Sequence, residues 1–272
     1  MDRIENIDFC IRYLLEQNRT QADIPTGLAG KQQLLRALMN IWEPQPLSYE
    51  FIRAQNAELQ AQLTDKGVVT LEDISASSCT PHLWQGDITR LRVDAIVNAA
   101  NSQMMGCWHP LHACIDNCIH SAAGLQLRAE CAEAMSGTEC PPVHEEYTFN
   151  GTVYRHAFTT ETLITKAYNL PCRHVLHTVG PIISDGVPTK DQERQLANCY
   201  RNCLGLAEAN GCHSTAFCCI STGEFRFPNQ MAAEIAVRTI KNYLTEHPDC
   251  SVKQVVFNVF KDVDKGIYQQ IL

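Results

Sequence analysis

Three side chains in one short run have the makings of a metal site. Cys107, His112 and Cys114 lie in Gly106-Cys107-Trp108-His109-Pro110-Leu111-His112-Ala113-Cys114, a C-x4-H-x-C spacing. Two thiolates and one imidazole are the donor set zinc prefers, at bond lengths of about 2.0 to 2.3 Å. Three protein ligands instead of four suggest an open coordination position, the mark of zinc that meets substrate or water. Cys118, one helical turn beyond Cys114, could close the set, and His109 competes for a place in it; two buried thiols and a solvent-facing histidine are the metal-free alternative. Asp116 and Asn117 follow at once. A carboxylate in a first helical turn is stabilised by the helix dipole whatever else it does. Beside a cation it could also hold and polarise a water, with its pKa kept low by the metal.

Two further segments carry chemistry. Asn98-Ala99-Ala100-Asn101 follows directly on an apolar run, which sets two amides where a strand ends, each able to donate and accept to sugar hydroxyls; an Asx turn is the plainer alternative. Ile220-Ser221-Thr222-Gly223-Glu224-Phe225-Arg226-Phe227-Pro228 reads as a strand-to-helix loop. Its backbone N–H groups could cradle a diphosphate while Phe225 or Phe227 packs on a ribose. It is not a Walker loop, because no Gly-Lys-Ser/Thr follows.

The elements that must position these residues alternate. Residues 92–97 read as a buried strand, 111–135 as one long helix, 174–179 as a strand closed by Gly180-Pro181, 192–210 as a helix, 214–220 as a strand, 229–246 as a helix and 254–260 as a last strand. That order predicts a three-layer α/β/α domain, and in such sheets ligands bind beyond the carboxyl ends of the strands. Residues 1–75 differ. Apolar stripes through Ile7 and Leu14, through Leu34 and Trp42, and through Phe51 and Leu63 predict three helices with no obvious chemistry, assigned to packing or partner selection. The domain boundary is set at 75/76.

Composition limits the partners. The 272 residues carry 22 basic and 30 acidic side chains, a formal net charge of -8, without the basic excess that phosphate-backbone binding demands, so no nucleic acid partner is expected. No apolar run reaches the length of a membrane span, and the N-terminus MDRIENIDF has no signal-peptide character. A cytoplasmic setting is the expectation. Of the 14 cysteines, Cys10, Cys79, Cys172, Cys199, Cys203, Cys212, Cys218, Cys219 and Cys250 lie in apolar or helical contexts, where a free thiol behaves as a small hydrophobe.

Taken in order, Gly86-Asp87-Ile88-Thr89, Val93-Asp-Ala-Ile-Val-Asn-Ala-Ala-Asn101, Ile119-His-Ser-Ala-Ala-Gly124, Tyr168-Asn-Leu-Pro171 with His177-Thr-Val-Gly-Pro181, and Ser221-Thr-Gly223 resemble the macrodomain family over about residues 79–272. Where ordinary hydrolase macrodomains carry a glycine run, this chain has the Cys107, His112, Cys114 segment, which resembles the zinc-containing branch that reverses protein ADP-ribosylation; an N-terminal helical extension is similarly usual there. The resemblance implies a macrodomain with a mixed central sheet. It also implies zinc on Cys107, His112 and Cys114, Asp87 accepting from an adenine amino group, the Ile88 backbone supporting the ring, and Asn98 and Asn101 lining the distal ribose. The backbone of Ser221, Thr222, Gly223, Glu224 and Phe225 would bind the diphosphate, with Phe225 flanking the ribose. Asp116, with Asn101, would be catalytic.

The activity so implied is a zinc-dependent, glycosidase-type protein-ADP-ribose hydrolase, which removes mono-ADP-ribose from modified protein side chains and releases ADP-ribose. A mono-ADP-ribosylated protein would be the substrate, and an ADP-ribosyltransferase a possible partner. The alternative is a non-catalytic ADP-ribose reader with a structural zinc. Both need the Asp87 and loop contacts; only the enzyme needs Asp116 and an open metal. Three departures from the family pattern stand out: Arg226 where glycine is frequent, Glu224 where small or apolar residues are frequent, and Ala167 in place of a glycine. Arg226 could contact phosphate; Glu224 should point outward or serve as a further acid or base.

Overall fold

In the computed structural model, which describes residues 2–74, 80–137, 143–149 and 151–272, three helices come first. They are α1 (Arg3–Gln17), α2 (Leu28–Asn40) and α3 (Tyr49–Lys66). The first starts on a capping box between Asp2 and Glu5, and the third on the Ser48 hydroxyl, which accepts from the Phe51 N–H at 3.1 Å; such caps satisfy the amide donors a helix start leaves open. Ile7, Ile11, Leu14, Leu35, Trp42 and Phe51 make a core of their own, closed from the other side by Leu125. The lobe is therefore seated on the rest of the molecule through an apolar contact.

The chain continues through β1 (Val69–Thr70), α4 (Leu71–Ile74), β2 (His82–Gln85), a 3-10 turn at Ile88–Arg90, β3 (Leu91–Arg92) and β4 (Ala95–Ala100). Then come α5 (Ile115–Ala123), α6 (Leu125–Ser136), the antiparallel pair β5 (Val143–Phe149) and β6 (Thr152–Ala157), β7 (Thr162–Lys166) and β8 (His174–Val179). Last are α7 (Lys190–Ala209), β9 (Ser214–Phe217), α8 (Asn229–Glu246), β10 (Gln254–Val259) and α9 (Asp262–Ile271). The central sheet has six strands in the order β2-β10-β9-β4-β8-β7. All neighbours run parallel except β7, which is antiparallel to β8. Ile96, Val97, Val175, Leu176, Phe217 and Phe257 are buried; strands covered by helices on both faces need apolar residues on both. The expected three-layer arrangement with a mixed sheet is what forms. Among the described residues no helix is long and apolar enough to cross a membrane, and the described cysteines are free thiols. The 75/76 boundary and Cys79 fall on or beside residues 75–79, outside the described residues.

Three elements depart from the sequence reading, each for a physical reason. The strand expected at 92–97 is shifted to Ala95–Ala100, so Asn98 is inside it and not beyond its end. The strand expected at 214–220 stops at Phe217, which lengthens the loop to α8. The single helix expected over 111–135 is two. Gly124 sits between them at φ 99° and ψ 171°, a region open essentially to glycine alone. A Cβ there would meet Gln55 Nε2 at 2.7 Å and Gln126 Oε1 at 3.0 Å.

Gly124→Ala is accordingly expected to lower stability by about 1–3 kcal/mol, read as a drop in urea midpoint at unchanged m-value; a variant as stable as the parent would show that the junction relaxes without cost.

Candidate active site

Segments at the carboxyl ends of β2, β4, β9 and β10 enclose a cavity of about 1080 Å³, at the upper limit of the roughly 300–1,000 Å³ common for small-molecule sites. Asp87, Ile88, Asn101, Cys107, His112, Cys114, Asp116 and residues 221–225 all line it. Every residue that the resemblance assigns to the site is thus gathered on one cavity except Asn98. That side chain is fully buried within β4 and does not reach the cavity wall: its Nδ2 donates to Asp116 Oδ1 at 2.7 Å and lies 3.1 Å from His177 Nδ1. It braces the acid instead of facing a ligand.

Asp116 is itself 4% exposed. Its Oδ2 also accepts from Asn101 Nδ2 at 3.4 Å, and His120 Nε2 stands 3.6 Å from its Oδ1. Burial pushes its pKa up to about 6, against the opposing pull of the Asn98 hydrogen bond and the Arg128 charge. The low value expected from a neighbouring cation is therefore not a property of the protein groups alone. His177 is held between Asn98 and Thr165, whose Oγ1 lies 3.0 Å from Nε2, and burial pushes it down to about 3. This chain of partners behind the acid had no sequence signal beyond a histidine in an apolar strand.

Cys107, His112 and Cys114 converge, their donor atoms all within 4.8 Å of one another and Cys107 Sγ 3.6 Å from His112 Nδ1. Tetrahedral bonds of about 2.0 to 2.3 Å imply donor separations of roughly 3.3–3.8 Å, so the set fits a zinc-sized ion with little movement. Cys114 is also the N-cap of α5, its Sγ accepting from the Asn117 N–H at 3.4 Å. Burial pushes the Cys114 thiol up to about 12, against the Asn117 N–H and with Cys107 and Asp116 adding to the rise. Cys118 does not join the group: its Sγ lies 3.7 Å from Arg36 Nη2. Nor does His109. With His112 Nδ1 turned to the thiols, Nε2 faces Glu224 Oε1 at 3.5 Å, the arrangement by which a carboxylate orients a metal-binding imidazole. Glu224 is therefore directed at His112 and not simply outward.

The 221–225 loop turns on Ser221, at φ 65°, and Arg226, at φ 58°. Phe227 N donates to Ser221 O at 2.9 Å and Ile183 N to Phe225 O at 2.8 Å, which ties the loop to the segment after β8. The buried Ser221 hydroxyl has no partner among the described residues. Phe225 lines the cavity, whereas Phe227 is buried in the main core and unavailable to a ligand. Arg226 is exposed and outside the cavity lining.

Asp87 Oδ1 accepts from Thr89 N and Oγ1 at 3.0 and 2.6 Å, and its Oδ2 pairs with Lys66 Nζ at 3.2 Å. Burial pushes this carboxyl up, but the Thr89 hydrogen bonds and Lys66 bring it below its ordinary value. Lys66 belongs to α3, and Gln32, Arg36 and Gln62 of the helical lobe also line the cavity. The lobe assigned to packing is thus a wall of the site. The signal overlooked was the polar side of its helices, where Arg36 and Lys66 interrupt otherwise neutral faces.

The Macro domain family model matches residues 97–236. Over the full length of both chains, this one is 46% identical to a protein-ADP-ribose hydrolase of Treponema medium. It is 38% identical to the protein of the same name from Staphylococcus aureus, covering 100% of this chain and 98% of that one. Among solved structures, a Trypanosoma brucei macrodomain in complex with ADP-ribose is similar with a TM-score of 0.62 at 28% identity, over 87% of this chain and 94% of that one. An Oceanobacillus iheyensis macrodomain with ADP has a TM-score of 0.58 at 37% identity, over 70% and 87% respectively.

One contact makes the loop geometry testable. A Cβ at Gly180 would overlap Ser221 Oγ and lie 2.9 Å from Ile220 Cγ2. Gly180→Ala is expected to cost about 1–3 kcal/mol and to displace residues 221–225, visible by crystallography; an unmoved loop at full stability would show that the packing is looser.

Proposed function

The chain belongs to the macrodomain family, and we propose from this and from the cavity's lining that it is a protein-ADP-ribose hydrolase that cleaves mono-ADP-ribose from modified side chains with help from a zinc ion. The observation that carries the reading is the juxtaposition of a buried carboxylate, Asp116, with a three-donor metal set on one nucleotide-sized cavity. A module that only holds ADP-ribose needs neither.

In this reading Asp87 receives the adenine amino group, using the carboxylate lone pairs that Thr89 and Lys66 leave open, and the Ile88 backbone supports the ring. Residues 221–225 direct backbone N–H groups at the diphosphate; directed amides bind such anions without a mobile charge. Phe225 flanks the distal ribose, and Asn101 reaches its hydroxyls. Cys107, His112 and Cys114 hold the zinc. When bound, it supplies Lewis-acid polarisation beside the distal ribose.

Asp116 does the proton work. Water attacks the anomeric carbon of the distal ribose as the bond from that carbon to the acceptor side-chain oxygen breaks, through an oxocarbenium-like transition state. The bonding pair leaves with the acceptor oxygen and the water proton goes to Asp116. An acceptor carboxyl needs no proton to depart, so a single carboxylate acting as base suffices. Asn98 keeps the Asp116 carboxylate aimed; Asn101 is shared between carboxylate and sugar.

Release of ADP-ribose from aspartate-, glutamate- and serine-modified proteins, measured beside the elemental content of the purified chain, tests this. Asp116→Ala is expected to slow turnover by about 100-fold or more while ADP-ribose affinity stays within a few-fold; unchanged turnover removes Asp116 from the mechanism. Cys114→Ala, or a strong chelator, is expected to lower zinc content and rate together, and full activity without metal would leave zinc no part in the reaction.

A further inference from the structure

The 107–114 segment carries the metal donors yet forms no helix or strand. Irregular loops do not hold ligands to the sub-ångström tolerance a metal requires unless a supporting shell fixes them. The supports here come from the helical lobe. Arg36 of α2 donates from Nη2 to the His112 carbonyl at 2.9 Å, and from Nη2 and Nε to Asn117 Oδ1 at 2.7 and 3.2 Å. Asn117 in turn donates to the His109 carbonyl at 2.9 Å. Asn40, at the end of α2, accepts from the Leu111 N–H at 3.0 Å.

The start of the loop is tied to the same place. Arg128, 2% exposed, donates from Nη2 to the Cys107 carbonyl at 3.2 Å, while its Nη1 holds the carbonyls of Met39, Asn40 and Trp42 at 3.2, 2.7 and 3.0 Å. Its guanidinium carbon also lies 4.2 Å from the centroid of Trp108, the residue after the first ligand. Loop backbone at Cys107, Leu111 and His112 is thereby pinned to the carboxyl end of α2 or to a residue that grips it.

We infer that the N-terminal lobe is part of the metal site, with Arg36 as a positioning residue that sets the place of the His112 ligand through its carbonyl and of Asn117 behind it. The planar guanidinium fork suits this, because one side chain must satisfy a carbonyl and an amide oxygen at fixed angles. The inference rests on the reading of Cys107, His112 and Cys114 as metal ligands. It reverses the view of the lobe as packing alone: the lobe sets how tightly the ion is held, whatever the reaction.

The test is the zinc affinity of full-length protein stripped of metal, measured by competition with a chromophoric chelator, alongside the melting temperature of each metal-free protein. Arg36→Met keeps the apolar stem and removes the fork; it is expected to weaken Zn²⁺ binding by about 10- to 100-fold, the usual cost of losing an outer-shell partner. Arg36→Lys, which keeps charge without the fork, is expected to lie between it and the wild type. Arg12→Met on the exposed face of α1 should leave affinity unchanged, and the metal-free forms should melt together. Affinity within about twofold of wild type in Arg36→Met overturns the inference. So does a metal-free Arg36→Met protein that melts well below the metal-free wild type, since Arg36 then serves folding and not the ligand. A wild-type chain that takes up no Zn²⁺ overturns the metal reading, and this inference with it.

Discussion

A carboxylate buried at the carboxyl edge of the sheet constrains everything around it. Removing Asp116 from water costs several kcal/mol unless partners replace the lost hydration, and the chain supplies them in a fixed order. Asn98 donates from within β4, Asn101 donates from the loop beyond it, and Arg128 provides charge from α6. Asn98 is in turn held against His177 on the neighbouring strand, which meets Thr165 on the edge strand. The parallel pairing of Asn98 with His177 in the β4–β8 register is what lets the line exist, so sheet topology and acid placement are one constraint seen from two sides.

The second dependence runs outward. Because α5 starts at its N-cap Cys114 and carries the acid in its first turn, any movement of the 107–114 loop moves Cys114 and Asp116 together. Arg128 links both ends of this unit: it grips the lobe and the Cys107 carbonyl, and its charge is felt at Asp116. Burial lowers its pKa to about 10, with Asp116, Cys131 and Cys107 opposing the fall, which leaves it a cation at neutral pH.

Much of this was legible in the residues. The alternating apolar runs gave the three-layer order because strands buried on both faces cannot hide their composition. The C-x4-H-x-C spacing marked a segment whose donors do converge. What failed was local extent and direction. The helix pattern over 111–135 concealed a break that depends on the left-handed backbone of Gly124, and the three-residue offset of β4 placed Asn98 inside the strand and turned it inward, since strand register decides which face a side chain takes. Partners distant in sequence left no periodic trace: Arg36 to Asn117 spans 81 residues and Lys66 to Asp87 spans 21. Polar residues on amphipathic helices look solvated until a second element covers them.

The charge balance of the cavity favours the proposed reading in which anion binding falls on backbone. Asp87, Asp116, Glu224 and Asp264 line it with Arg36, Lys66 and Lys261, in a chain of net charge -8, so a diphosphate bound there would meet walls with no surplus of basic charge. The lobe cations are already engaged, Lys66 by Asp87 and Arg36 by Asn117 and the His112 carbonyl. Arg226 is turned away from the cavity. In the proposed reading, fixed N–H dipoles from the 221–225 loop are the donors that fit this balance. They attract at short range without attracting every polyanion in solution, because dipole fields fall off faster than those of net charge. In that reading, selectivity for one nucleotide over nucleic acid would follow from geometry at the sheet edge and need no basic surface.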